Sequence, residues 1–178
     1  MAIFFIWHGQ SKFNAAFEGS FDPMIFDAPL TPLGFSQAAE AGVRVSDLGI
    51  TRVITSPLTR AIQTAKATFV GLAPIEVNHG HHELLQYSGD VGRPLMALKQ
   101  DFPDLSFDHF PDQWWHAQDN AEGEMSKEPL PVFQCRIAQF VAALDNFGPE
   151  RVAIVGHGNA FQETIGYILN NCEVYQYR

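Results

Sequence analysis

Unbroken apolar runs alternate along the chain with stretches of helical period. Ile3-Phe4-Phe5-Ile6 and Val152-Ala153-Ile154-Val155 contain no polar residue, the pattern of strands covered on both faces of a parallel sheet. Arg52-Val53-Ile54-Thr55 and Pro74-Ile75-Glu76-Val77 predict two further strands, and Glu173-Val174-Tyr175-Gln176-Tyr177 a last one. A helix is expected over residues 32–48, with Thr31 as N-cap, Pro32 in the first helical position and Gly49 as a left-handed stop. A second helix opens at Ser56-Pro57, with Ser56 as hydroxyl cap. It carries Ile62, Ala65 and Phe69 on one face and stops near Gly71. Residues 130–147 put Phe133, Ile137, Phe140, Val141 and Leu144 on one stripe, ended by Gly148-Pro149. A last helix runs from Ala160 to about Leu169, and residues 15–29 read as loop. Residues 79–128 are polar, aromatic and rich in turn formers, with short helical pieces near 94–100 and 112–116. They read as an excursion laid over the sheet edge. Strands alternating with helices imply the α/β class: a three-layer αβα sandwich with a mostly parallel central sheet, in one domain over residues 1–178.

Composition narrows the function classes. The 178 residues are 46% hydrophobic and 17% charged, as in a globular protein. The net charge of -9 argues against a nucleic-acid binder, which needs a basic face. It leaves room for a small anionic ligand, because a few focused cations suffice. Cys135 and Cys172 form no metal-type pair and no disulfide framework, and they read as reduced thiols. The apolar run at the N-terminus is too short for a signal peptide or a membrane span. A cytoplasmic protein with no membrane partner is expected; a homo-oligomer stays open.

Candidate chemistry gathers at strand ends. Trp7-His8-Gly9 and Gly156-His157-Gly158 close two strands in nearly the same way. A lone histidine there is usually just a satisfied polar group. Two glycine-flanked ones in one sheet can converge at its carboxyl edge, where α/β proteins bind ligands. Arg60, in the first turns of a helix after a strand, can reach that edge with a fork matched to phosphate. This set suits a dianion. A neutral imidazole can attack a phosphoryl group in line, while cations hold the equatorial oxygens. A carboxylic acid must protonate the leaving oxygen. Glu83 is the first candidate for it, with Glu76 and Asp90 as weaker ones. No cofactor is required. The run His79-Gly80-His81-His82-Glu83 contains metal-ligand residue types, but no second ligand motif lies at a fitting distance, so no metal is expected. Gly34-Phe35-Ser36 falls short of a serine-hydrolase elbow, since no strand precedes it.

These residues resemble the histidine phosphatase superfamily, which includes the cofactor-dependent phosphoglycerate mutases. His8-Gly9-Gln10-Ser11-x-x-Asn14 is similar to its Arg-His-Gly-x-Thr-x-x-Asn signature. Leu30-Thr31-Pro32-Leu33-Gly34-x-x-Gln37-Ala38 resembles its first-helix motif. Ser56-Pro57-Leu58-x-Arg60-Ala61-x-Gln63-Thr64-Ala65 and Gly156-His157-Gly158 follow in family order. The resemblance implies a phosphatase acting through a phosphohistidine on a small phosphorylated molecule. It implies His8 as nucleophile, Arg60 and His157 on the phosphoryl group, and Ser11, Asn14 and Asn159 lining the pocket. Glu83 aligns loosely with the family's acid.

One residue departs. Where the family has arginine before the nucleophile, this chain has Trp7. Indole offers one neutral N–H. Losing two charge-assisted bonds, each worth roughly 1.5–3 kcal/mol, costs on the order of 10²–10⁴ in rate. Three accounts stay open: a weak or specialised phosphatase in which Lys12 or Arg93 supplies the charge, a phosphate-binding relative with little turnover, or an introduced change. Phe102, Phe107, Phe110 and Trp114-Trp115-His116 read as packing for the excursion, or as a substrate lid in which Arg93 and Lys99 meet a second anionic group.

Overall fold

The apolar run at the chain start becomes β1 (Ala2–Trp7), and it lies inside the sheet, not at its edge. The structure, a computed structural model, describes residues 1–116 and 127–178. Five strands lie in the order β3-β2-β4-β1-β5, where β2 is Arg52–Thr55, β3 Ile75–Val77, β4 Arg151–Gly156 and β5 Val174–Gln176. All neighbours pair in parallel except β5, which runs antiparallel to β1. The alternation of side chains along each strand loads both faces. Phe4, Ile6, Val53 and Val155 pack with Val45, Ala61, Ala65 and Phe69 on one side. Ile3, Phe5, Val152 and Ile154 pack with Phe140, Leu144 and Phe161 on the other. Each such buried Val, Leu, Ile or Phe side chain is worth about 1.5–3 kcal/mol. Helices α2 (Pro32–Val45) and α3 (Thr59–Thr68) cover the first face, and α5 (Leu130–Ala143) and α6 (Gly158–Ile165) the second. Among the described residues no helix is long and apolar enough to cross a membrane.

Several local expectations need correction. The loop expected after Asn14 begins inside a short helix, α1 (Lys12–Ala16), closed by a capping box between Ser11 and Asn14. Ser56 does not cap α3; its hydroxyl is spent on His157. The first turn of α3 is capped across the chain by Asp27, whose carboxylate accepts from the Thr59 amide at 2.8 Å and from its hydroxyl. The last helix stops at Ile165, because Gly166 takes a left-handed φ of 86°. Residues 94–100 do hold a helix, α4 (Leu95–Asp101). Residues 112–116 do not, and form bends with no capping like that of α1. The Trp114 indole is instead buried and donates to the Arg93 carbonyl. The excursion's middle, residues 117–126, lies outside the described residues.

Candidate active site

Strand register brings the two histidines together. Trp7 pairs with Gly156, so His8 and His157 leave adjacent parallel strands at the same level. Their rings sit 5.2 Å apart, edge to face. The turn after β1 is held from three sides. Gly9 donates its amide to Thr64 Oγ1 at 3.0 Å, Asn171 Nδ2 donates to the His8 carbonyl at 2.7 Å, and Gln37 Oε1 accepts from the Gln10 amide. A methyl group on Gly9 would lie 2.5 Å from the Gly34 carbonyl oxygen, and one on Gly34 2.2 Å from that of Gln10. Only glycines let the start of α2 approach the histidine turn this closely.

His8 has a defined tautomer. Its Nδ1 lies 2.7 Å from the Gly9 carbonyl oxygen, which can only accept, so Nδ1 carries the proton. Its Nε2 faces Arg60 Nε at 3.1 Å, which can only donate, so Nε2 presents its lone pair. Burial, then the Arg60 charge, holds the imidazole well below its ordinary pKa and therefore neutral. His157 is fully buried behind it, with Nε2 2.7 Å from Ser56 Oγ and Nδ1 without a protein partner.

Arg60 is buried, and three of its five N–H groups have partners among the described residues. Beyond His8, its guanidinium donates to the Gly89 carbonyl and, at 3.0 Å, to Asp90 Oδ1. Asp90 is therefore a direct neighbour of the cup, and its other oxygen accepts from the Gln86 and Tyr87 amides. Glu83 approaches from the same side. Its carboxylate accepts from the Leu84 amide at 2.8 Å and from the Asn159 amide, in the first turn of α6, at 3.2 Å. Two N–H bonds and the positive end of a helix favour the carboxylate. Burial and the Asp90 charge outweigh them, and the Glu83 pKa is pushed up to about 7. A neutral imidazole, a guanidinium and a carboxylic acid poised near neutrality thus share one cleft of about 180 Å³. That combination can accept a phosphoryl group and supply a proton.

The structure brings together most of the expected residues. His8, Ser11, Asn14, Arg60, Glu83 and Asn159 all line this cleft; His157 stands behind it. The weaker candidates separate. Glu76 is exposed on the edge strand, paired with Arg52, while Asp90 lies inside. Arg93 bonds Asp27, Asp101 and Thr59 outside the cleft lining, and Lys99 pairs with Asp108 at the surface. Ser36 lies within α2, its hydroxyl on the Pro32 carbonyl. The His79–His81 turn and His82 turn their rings to different neighbours: His79 to Phe110, His81 onto Phe140, His82 to Trp114. Among the described residues, no group of three His, Cys, Asp or Glu side chains is arranged to hold a metal. Phe102, Phe107, Phe110 and Trp114 pack the excursion onto Leu58, Ile62 and Val77, outside the cleft lining. Phe13, Phe17, Gln86, Tyr87 and Ile168 complete the lining and were not legible as site residues. The one available signal was Phe13 and Phe17 at helical spacing beside the histidine turn.

Comparison with known proteins decides the family. The model of the histidine phosphatase superfamily (branch 1) matches residues 3–177. The chain belongs to that superfamily. The matched range includes both histidine turns and the start of α3. Fructose-2,6-bisphosphatase TIGAR of Bos taurus is 32% identical over 103 residues, 55% of this chain and 37% of the bovine protein. The chain thus aligns with well under half the length of that curated relative. Among solved structures, alpha-ribazole phosphatase from Shigella flexneri superposes with a TM-score of 0.67 at 18% identity, covering 99% of this chain and 89% of that one. Phosphoserine phosphatase of Entamoeba histolytica, in complex with 3-phosphoglyceric acid, gives 0.62 at 20% identity over 98% and 89%. At such identities the superpositions establish the shared α/β fold.

Proposed function

We propose that the protein is a phosphomonoester hydrolase that works through phospho-His8 on a small phosphorylated molecule. The observation that carries this reading is the His8 tautomer: the unprotonated nitrogen, Nε2, is the one turned toward Arg60, from whose Nε it accepts, and it lines the cleft with it. In the first half-reaction, Nε2 attacks phosphorus in line and the P–O bond to the alcohol breaks. Glu83 in its acid form protonates the departing oxygen, and the phosphoryl group is left on nitrogen. In the second, the Glu83 carboxylate takes a proton from water, the water oxygen attacks phosphorus, the N–P bond breaks and phosphate leaves. Arg60 holds the equatorial oxygens, and Ser11, Asn14 and Asn159 complete the ring of polar groups; His157, buried behind the cleft with Nε2 on Ser56 Oγ, packs edge-on against the His8 ring and positions it. The residues need no metal or cofactor for these steps. The whole of residues 1–178 serves as one catalytic domain, with Glu83, Gln86, Tyr87 and Asp90 at the start of the excursion forming one wall of the cleft. The two unpaired thiols, Cys135 and Cys172, fit a cytoplasmic setting.

A second reading has its own support. Trp7 lines the cleft with its indole N–H buried and unpartnered, and Arg60 is already matched by Asp90. A cup with so little net positive charge fits a phosphate-ligand binder with slow turnover. Pre-steady-state hydrolysis of p-nitrophenyl phosphate separates the two. The catalytic reading predicts a burst of nitrophenol close to the enzyme concentration, abolished in His8→Ala. Equal rates in both proteins would remove His8 from the chemistry.

A further inference from the structure

The geometry points to one class of substrate for this cleft: a monophosphate ester of a flat, apolar alcohol, such as an arylmethanol, with no second anionic group. The inference deepens the phosphotransfer reading, on which it relies for which end of the ester faces His8.

Polarity is graded along the cleft. At the bottom, His8, Ser11, Arg60, Glu83 and Asp90 are buried. Nearer solvent the lining turns aromatic. Phe13 stacks on Phe17 with centroids 5.4 Å apart, and Tyr87 meets Phe17 edge to face at 4.9 Å, all three half-buried. Phe13 is fixed from behind by Gly89, where a methyl group would come within 2.6 Å of the ring. Trp7 and Ile168 also line the cleft, and both lie against Gly158. Faces and edges of several rings, already half dry, recognise a planar apolar group through offset and edge contacts.

Charge excludes the alternatives. Sugar bisphosphates and carboxylate-bearing phosphoesters need a second cation, and among the described residues Arg60 is the single Lys or Arg in the cleft lining. It already faces Asp90, with the Glu83 carboxyl beside them. Arg93 and Lys99 are held elsewhere by Asp27, Asp101 and Asp108. Lys12 shares the outward side of α1 with Ala15 and Ala16, and neither it nor Lys127 lines the cleft. Residues 117–126 contain no Lys, Arg or His. A second anion here meets carboxylates without compensation.

Non-hydrolysable phosphonates test this without depending on turnover. In calorimetric titrations, benzylphosphonate is expected to bind about tenfold or more tighter than methylphosphonate, the gain from burying one ring. Phosphonoacetate, with its extra carboxylate, is expected to bind more weakly than methylphosphonate. Phe17→Ala, or Ile168→Ala should the first variant misfold, is expected to narrow the benzyl-to-methyl ratio below about threefold. Equal affinities, preference for phosphonoacetate, or no binding of any phosphonate would overturn the inference. Benzyl phosphate and glycerol phosphate, whose alcohols leave about equally badly, keep the two readings apart. The preference for benzylphosphonate with neither ester cleaved leaves the substrate class standing and removes the chemistry. Cleavage of both esters with glycerol phosphate the better substrate removes the substrate class alone.

Discussion

Glu83→Gln lowers the turnover of an alkyl phosphate by about 10²–10⁴-fold, the range for removing a general acid. The loss is far smaller for p-nitrophenyl phosphate, whose leaving group departs without a proton. The contrast follows from the placement of Glu83: it lines the cleft with His8, and burial followed by the Asp90 charge raises its pKa to about 7. A carboxyl group at its ordinary value would be almost wholly ionised near neutrality and could donate nothing. The protonated form is the active one in the first half-reaction, so the wild-type rate for alkyl esters falls as pH rises through about 7, and this limb disappears in the Gln variant. Folding follows the same sign. A folded pKa above the ordinary value of 4.5 means the fold favours the protonated group. Its contribution is complete below 4.5 and lost as pH passes about 7. Rate against pH for both esters, in both proteins, checks the assignment. An identical loss for the two esters would place Glu83 in binding or folding instead.

Trp7→Arg raises kcat/KM for phosphate monoesters by on the order of 10²-fold or more, the equivalent of restoring two charge-assisted bonds. Trp7 ends β1 one residue before His8, lines the cleft, and leaves its indole N–H without a partner. Nothing polar is lost with the indole. A guanidinium in its place enters a cleft whose one cation is matched by Asp90, so the added charge is free for the phosphoryl oxygens. A KM that falls while kcat stays fixed would signal ground-state binding alone; a rise in kcat signals transition-state stabilisation. No change in either would show that this position does not limit the phosphate cup.

Much of this arrangement was legible before any geometry. Strand runs and glycine stops fix the alternation of elements, and the two His-Gly turns with Arg60 mark the sheet edge. What escaped was set by contacts distant in sequence. Nothing local to Thr59 announces that Asp27, thirty-two residues earlier, caps its helix. Nothing around Asp90 announces that it faces Arg60, because the turn carrying it is fixed by amides of its own loop and by Asp22 on Ser88. Arg93 looked available to an anion until its ion pairs with Asp27 and Asp101 were seen. Charge on a side chain is readable from sequence; whether that charge is already spent is a property of the fold.

The most direct test is to trap the intermediate. The protein is mixed with a phosphorus-labelled aryl phosphate, quenched in alkali within milliseconds, digested and mapped. The account predicts an acid-labile, alkali-stable phosphoramidate on the peptide bearing His8, absent from His8→Ala. Turnover that proceeds with no label on that peptide, or label carried by another side chain, would contradict it.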